Sequence, residues 1–256
     1  MRVAVIGATG VLGRLVATEL AARGDEVISV SRSLPRDAVI GSEHRRADLA
    51  TGVGLEGALA GAEAVVDAAN DSSRHAATVL VDGTRRLLEA EAVAGVGHHV
   101  AISIVGCDRV PIGYYRAKTG QEEAVAAGGV PWTLLRATQF HQLVAGALAS
   151  AARARLQPRG PFQLQPIDPA LVAARVADAV HAGPGGRLPA IAGPEVATLT
   201  QVAEAWVARR AGRLLPLPLP AIGKAGRALR GGALCDRAAA VPGPTFAAWL
   251  DAGGDR

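Results

Sequence analysis

Lysine and tyrosine are almost missing from this chain. Its 256 residues hold two lysines, two tyrosines, three phenylalanines and three tryptophans, so basic charge rests almost wholly on arginine. Cysteine is as scarce. Cys107 and Cys235 lie far apart, which argues against a disulfide-built fold and fits the reduced thiols of a cytoplasmic protein. Aromatics make up 3% and the arginines are scattered, so a net charge of +4 does not point to a nucleic-acid partner. No charge-free apolar run is long enough to span a bilayer, and the chain opens on a strand pattern rather than a basic–apolar leader, so no membrane role is expected. What remains is 50% apolar and 20% charged, a globular balance whose core must be built from Ala, Val and Leu.

Residues 3–6 form a short apolar run ending at glycine, and residues 11–22 follow with helical spacing until Gly24 stops them. Residues 27–30, 64–68, 100–105 and 132–135 read as further strands, and 76–94, 117–127 and 143–153 as helices. Strands alternating with helices predict an α/β fold with a doubly wound parallel sheet covered on both faces. Beyond about residue 155 the pattern changes. Residues 157–169 are rich in Pro and Gln, 171–181 and 200–211 are helical, and 246–250 form a short docking helix. Prolines at every second place make 214–220 an edge strand or a polyproline segment. The expected organisation is a core over residues 1–155 and a smaller C-terminal lobe over 156–256, forming a single structural unit.

Gly7, Gly10 and Gly13 stand between the first strand and the first helix with the spacing G-x-x-G-x-x-G. Gly7 permits the tight turn, Gly10 lets backbone approach a pyrophosphate, and Gly13 lets the helix pack close. The helix N-terminus then offers free N–H groups and a positive dipole end to phosphates. That assigns Thr9, Val11 and Leu12 to the same cradle. At the end of the second strand no carboxylate is present to hold a ribose 2′-hydroxyl. Ser31, Arg32 and Ser33 stand there instead, a guanidinium and two hydroxyls suited to a 2′-phosphate. The expected cofactor is NADP(H) in preference to NAD(H). Tyr114 and Lys118 lie four residues apart, which on a helix puts both on one face and suits a proton donor beside a cation.

With GATGVLGR at 7–14, DGTRRLLEA at 82–90, AISIVG at 101–106, YYRAKTGQEEAV at 114–125 and PWTLLRATQFH at 131–141, the chain resembles the short-chain dehydrogenase/reductase superfamily, and within it the atypical NmrA-like branch. The resemblance implies a Rossmann-type core whose C-terminal lobe binds substrate. It places Asp48 and Leu49 along the adenine, and Ala68, Ala69 and Asn70 beside ribose and phosphates. It makes Ser103 the carbonyl-polarising serine, Tyr114 the proton donor and Lys118 both the activator of Tyr114 and the ribose anchor. Thr138, Gln139 and Phe140 would flank the nicotinamide.

The implied activity is an NADPH-dependent oxidoreductase that reduces a small, largely apolar carbonyl, quinone or enone by hydride transfer. Phe162, Leu164, Leu217 and Leu219 supply candidate apolar walls for that substrate. Two other uses of the site stand beside it: an NADP-binding redox sensor that regulates a partner without turnover, and a non-redox isomerase, epimerase or cyclase. No metal is implied, His98 and His99 lack ligand partners at helical spacing, and homo-oligomerisation is left open.

Overall fold

Val3, Ala4 and Val5 have no exposed surface, and they form the middle of the first strand of a computed structural model that describes residues 1–33, 41–210 and 213–254. The chain folds into two compact units. One comprises Met1–Ser103, Gly113–Leu135 and Ala170–Pro189; the other comprises Ile104–Ile112, Arg136–Pro169 and Ala190–Arg256. The division is therefore not one cut near residue 155, because the chain passes between the units several times.

The first unit begins β1 (Arg2–Ile6), α1 (Val11–Ala22), β2 (Glu26–Ser31), β3 (Ser42–Arg46), α2 (Leu55–Leu59) and β4 (Ala64–Asp67). A single π-helical turn over Thr78–Asp82 then leads into α3 (Gly83–Ala94), followed by β5 (His98–Ile104), α4 (Gly113–Ala127) and β6 (Trp132–Ala137). The remaining elements in chain order are α5 (His141–Arg153), β7 (Leu156–Arg159), β8 (Gln163–Leu164), α6 (Pro169–Ala182), β9 (Gly186–Arg187), β10 (Ala197–Thr198), α7 (Leu199–Val207), β11 (Leu215–Pro218), α8 (Gly223–Arg230) and α9 (Phe246–Asp251).

The sheet has seven strands in the order β3-β2-β1-β4-β5-β6-β9. β1 runs parallel to β2 and β4, β2 to β3, β4 to β5, and β6 to β9. This is the Rossmann-like arrangement that the alternating pattern predicts. Strand order reverses between β1 and β4, which opens the crevice at their C-terminal ends where such sheets take ligands. The strands read as continuous apolar runs because both faces are covered. Ile6, Ile28, Val30, Leu59, Val65 and Leu87 belong to one buried cluster. Each such side chain contributes about 1.5–3 kcal/mol through burial.

The second unit has its own core, built from Val144, Leu148, Val202, Trp206, Phe246, Trp249 and Leu250. Helix α7 starts at a capping box between Thr198 and Gln201, so Thr198 rather than Thr200 is its cap. That helix ends at Val207, and Ala211, to which the sequence pattern extends it, lies outside the described residues. The proline-rich run is a strand after all, paired in parallel with β7. Among the described residues no helix is long and apolar enough to cross a membrane.

Candidate functional site

Gly7 ends β1 with φ +75°, a backbone state that favours glycine. Its amide and that of Ala8 donate to the Val30 carbonyl at 2.9 and 3.3 Å, tying the loop to the end of β2. Gly10 donates to the Gly7 carbonyl at 2.9 Å and occupies the N-cap of α1. A Cβ at Gly13 would lie 2.2 Å from the Gly7 oxygen, and one at Gly10 would lie 3.2 Å from it. The loop is thus closed tightly on its own backbone. No side chain caps α1 and no acidic residue stands in its first turn. A diphosphate fits this helix end, which offers N–H groups and a positive dipole end. Thr9 and Val11 are exposed there, whereas the Leu12 side chain is buried and leaves only backbone on the outside.

The topology gathers neighbouring strand ends around this loop. A Cβ on Gly7 would touch the Ala68 carbonyl oxygen and the Ala69 amide at 3.0 Å, so residues 68 and 69 border it directly. Arg32 and Ser33 are exposed beyond the end of β2. The Asp71 carboxyl is held below its ordinary value by the Ser73 hydroxyl and amide, with His75 and then Arg32 adding smaller effects. Ser31 differs from the reading as a phosphate hydroxyl. It is buried, and its Oγ donates to the Ser33 carbonyl at 2.6 Å and meets His44 Nε2 at 2.8 Å, so it braces the loop from inside. Asp48 Oδ1 accepts the Ala50 amide at 2.9 Å, closing a short turn, and Leu49 packs into the core.

Tyr114 and Lys118 lie one turn apart on α4. The Tyr114 hydroxyl donates to Asn70 Oδ1 at 2.9 Å, and its ring packs against the small cluster of Ala76, Leu80 and Ala117. Tyr115 sits beside it, ring centroids 5.3 Å apart. Lys118 is buried, and its Nζ donates to the Ile102 carbonyl at 2.7 Å and to Gln121 Oε1 at 2.5 Å. Gln121 Nε2 in turn donates to Asp67 Oδ2 at 2.9 Å. Asp67 also accepts from Thr84 Oγ1 at 3.3 Å and from the Ala69 amide at 3.1 Å. Sequence reasoning gave Gln121, Asp67 and Thr84 no role. Two signals were available: a carboxylate inside the apolar run 64–68, and an amide three residues after the lysine on the same helix face. Ser103, buried at the end of β5, directly follows the Ile102 carbonyl that Lys118 engages.

Other candidates turn out to hold structure. Thr138 is buried and its Oγ1 accepts the Gly193 amide at 3.1 Å. The Gln139 amide donates to the Leu234 carbonyl at 2.8 Å and accepts from the Gln165 amide at 3.0 Å. Both side chains therefore brace the second unit. Phe140 is half-buried at the N-cap of α5. His141 is buried against Phe246 and Trp249, and burial depresses its imidazole pKa. His98 bonds Thr133 Oγ1 at 2.8 Å, and His99 bonds Glu91 at 2.8 Å. Burial pushes the Cys235 thiol up to about 11. Among the described residues no group of three or more His, Cys, Asp or Glu could hold a metal ion. Leu164 is half-buried and packs against the core of the second unit. Leu219 lines a surface groove of about 420 Å³, with Arg159, Thr198, Thr200 and Pro218.

A reductase from Streptomyces griseus, named for (4-alkanoyl-5-oxo-2,5-dihydrofuran-3-yl)methyl phosphate, is 34% identical over 203 residues, 76% of this chain and 68% of its own length. Uncharacterised mycobacterial proteins match at 31% identity over 73% of this chain, which spans only 19% of their length. In structure, an NADPH-dependent quinone oxidoreductase from Escherichia coli superposes with a TM-score of 0.76 at 20% identity, covering 98% of this chain and 99% of the other. A nucleoside-diphosphate-sugar epimerase from Staphylococcus aureus does so with 0.77 at 15%, over the same shares of both chains. Likenesses at such identities establish the fold. The model of the NAD(P)H-binding family matches residues 7–182, glycine loop and Tyr–Lys helix included, and this chain belongs to that family.

Proposed function

We propose that the chain is an NADPH-dependent reductase of a small conjugated acceptor, a quinone or enone, of the NmrA-like type. The observation that carries this reading is the placement of Tyr114 and Lys118 on α4. Tyr114 is bonded to Asn70 at the end of β4, beside the glycine loop, and Lys118 is bonded to the end of β5. Residues 7–13 are assigned to the diphosphate, Arg32 and Ser33 to the 2′-phosphate, Asp48 and Leu49 to the adenine, and residues 68–70 to ribose and phosphates. NADPH supplies the hydride when bound. The protein orients the acceptor and moves the proton. Lys118 holds the nicotinamide ribose and makes the Tyr114 hydroxyl more acidic. Tyr114 delivers the proton to the acceptor oxygen, and Ser103 polarises that oxygen. The conjugated acceptor is favoured by the names of two similar proteins, one acting on an alkanoyl-substituted 5-oxo-dihydrofuran and one on quinones.

The test is steady-state oxidation of NADPH against a panel of quinones and enones. Wild-type protein is expected to turn over at least one of them. Tyr114→Phe is expected to lower kcat by about 10²–10⁴-fold while leaving NADPH affinity within about twofold. Tight NADPH binding with no turnover across the panel would replace this reading with the redox-sensor one. Product formation without net NADPH loss would replace it with an isomerase or epimerase.

A further inference from the structure

Lys118 is a buried cation, and the structure supplies it with a counter-charge at one remove. A carboxylate can only accept hydrogen bonds. Asp67, buried at the end of β4, accepts from the Ala69 amide, from the Thr84 hydroxyl and from Gln121. Gln121 must therefore turn its NH2 group toward Asp67, where it also meets Thr84 Oγ1 at 3.2 Å, and its carbonyl oxygen toward Lys118. The amide orientation is forced by its partners. Gln121 is buried too, so this chain of bonds lies away from water, where each link is stronger and each unmet group more costly. The result is a neutral set: one ammonium, one polarised amide, one carboxylate.

We infer that Asp67 and Gln121 are positioning residues for the cofactor, forming an amide-linked counter-ion relay that fixes the Lys118 ammonium in its ribose-holding geometry. The inference rests on the reading of Lys118 as the ribose anchor. It explains why polar groups sit at residues 67, 84 and 121 in an otherwise apolar interior. It also gives α4 a defined rotation against β4 and β5, since the relay spans all three elements.

The test is NADPH binding by fluorescence titration, with thermal melting recorded for every variant and titrations made well below each melting temperature. Asp67→Asn removes the charge and, whichever way its amide turns, sets its NH2 group against a donor, the Ala69 amide or the Gln121 NH2. It is expected to raise the NADPH Kd about tenfold, the scale of one misplaced charge-assisted hydrogen bond. The double variant Asp67→Asn, Gln121→Glu moves the carboxylate one link nearer Lys118 and reverses the donor order without losing a bond. It is expected to return the Kd to within about threefold of wild type. A role confined to stability would lower the melting temperature and leave Kd alone. Should Asp67→Asn fail to fold, Gln121→Met, similar in size and unable to link the pair, is expected to give the same tenfold loss. Unchanged Kd in the single variants, or a double variant no better than Asp67→Asn, would overturn the relay. Lys118→Met separates the two layers. If it leaves NADPH binding intact, the ribose-anchor reading falls and the relay with it. If it weakens binding while Asp67→Asn and Gln121→Met do not, only the relay falls.

Discussion

Gly13 sets the narrowest tolerance in the site. Its missing side chain is what allows α1 to start 2.2 Å, in Cβ terms, from the Gly7 carbonyl, and that carbonyl is backbone that cannot swing aside. Gly13→Ala should cost about 1–3 kcal/mol of stability by overpacking and should also weaken NADPH binding, both readable in one thermal melt with and without cofactor. Arg32 is the opposite kind of residue, exposed and tolerant. Arg32→Ala is expected to leave melting unchanged, to raise the NADPH Kd about 10–100-fold and to leave the NADH Kd as it was; equal effects on both cofactors would remove Arg32 from the 2′-phosphate. At this scale the glycines, Tyr114 and Lys118 were legible because each is defined by type and spacing. The internal bonds of Ser31, Thr138 and Gln139 were not legible, because a hydroxyl or an amide on a loop looks the same in sequence whether it faces a ligand or its own backbone. Only the partners decide, and for these three the partners are internal.

Among the elements, β11 is the most instructive. Leu215 donates to the Arg155 carbonyl at 2.8 Å and Leu219 to the Arg159 carbonyl at 2.7 Å, so alternate N–H groups face β7 and Pro216 and Pro218 point the other way. A proline at every second place is therefore compatible with an edge. Leu217→Pro should destabilise by about 1–3 kcal/mol, because it removes a donor on the paired side, while Pro216→Ala should be nearly neutral; urea midpoints for the two variants check the contrast. Helix α8 had no visible signal. Its eight residues hold two glycines and three basic residues, and what admits it is the close approach of Gly226, where a Cβ would lie 2.6 Å from the Ala221 carbonyl carbon. A local pattern carries no record of such a contact. The parallel strands were readable because buried apolar runs need no tertiary information to stand out.

At the scale of the molecule, the chain passes more than once between the unit that holds the glycine loop, Tyr114 and Lys118 and the unit built on Trp206 and Trp249. Sequence offered a single change of texture near residue 155, because composition shifts along the chain while packing does not follow chain order. Global stability should carry a pH signature from the fully buried His99–Glu91 pair. Burial alone would depress the His99 imidazole, but Glu91 at 2.8 Å, with Asp67 adding to it, raises it above 6.5. Burial also raises the Glu91 carboxyl above 4.5, with His99 opposing. Folded-state values above the unfolded ones mean that the native state holds protons more tightly. The contribution of His99 is therefore complete below pH 6.5 and is lost as pH rises through its folded value. The gap in urea midpoint between wild type and His99→Gln should accordingly be wider at about pH 6 than at about pH 9. Reduction of a conjugated acceptor by NADPH is the central claim, and isotope transfer tests it most directly. With NADPH deuterated at the transferring position of C4, the product of an accepted enone, whose β-carbon keeps the transferred atom, should carry one deuterium by mass spectrometry, with one cofactor oxidised per product formed. Unlabelled product, or labelled cofactor recovered unchanged while substrate is converted, would contradict it.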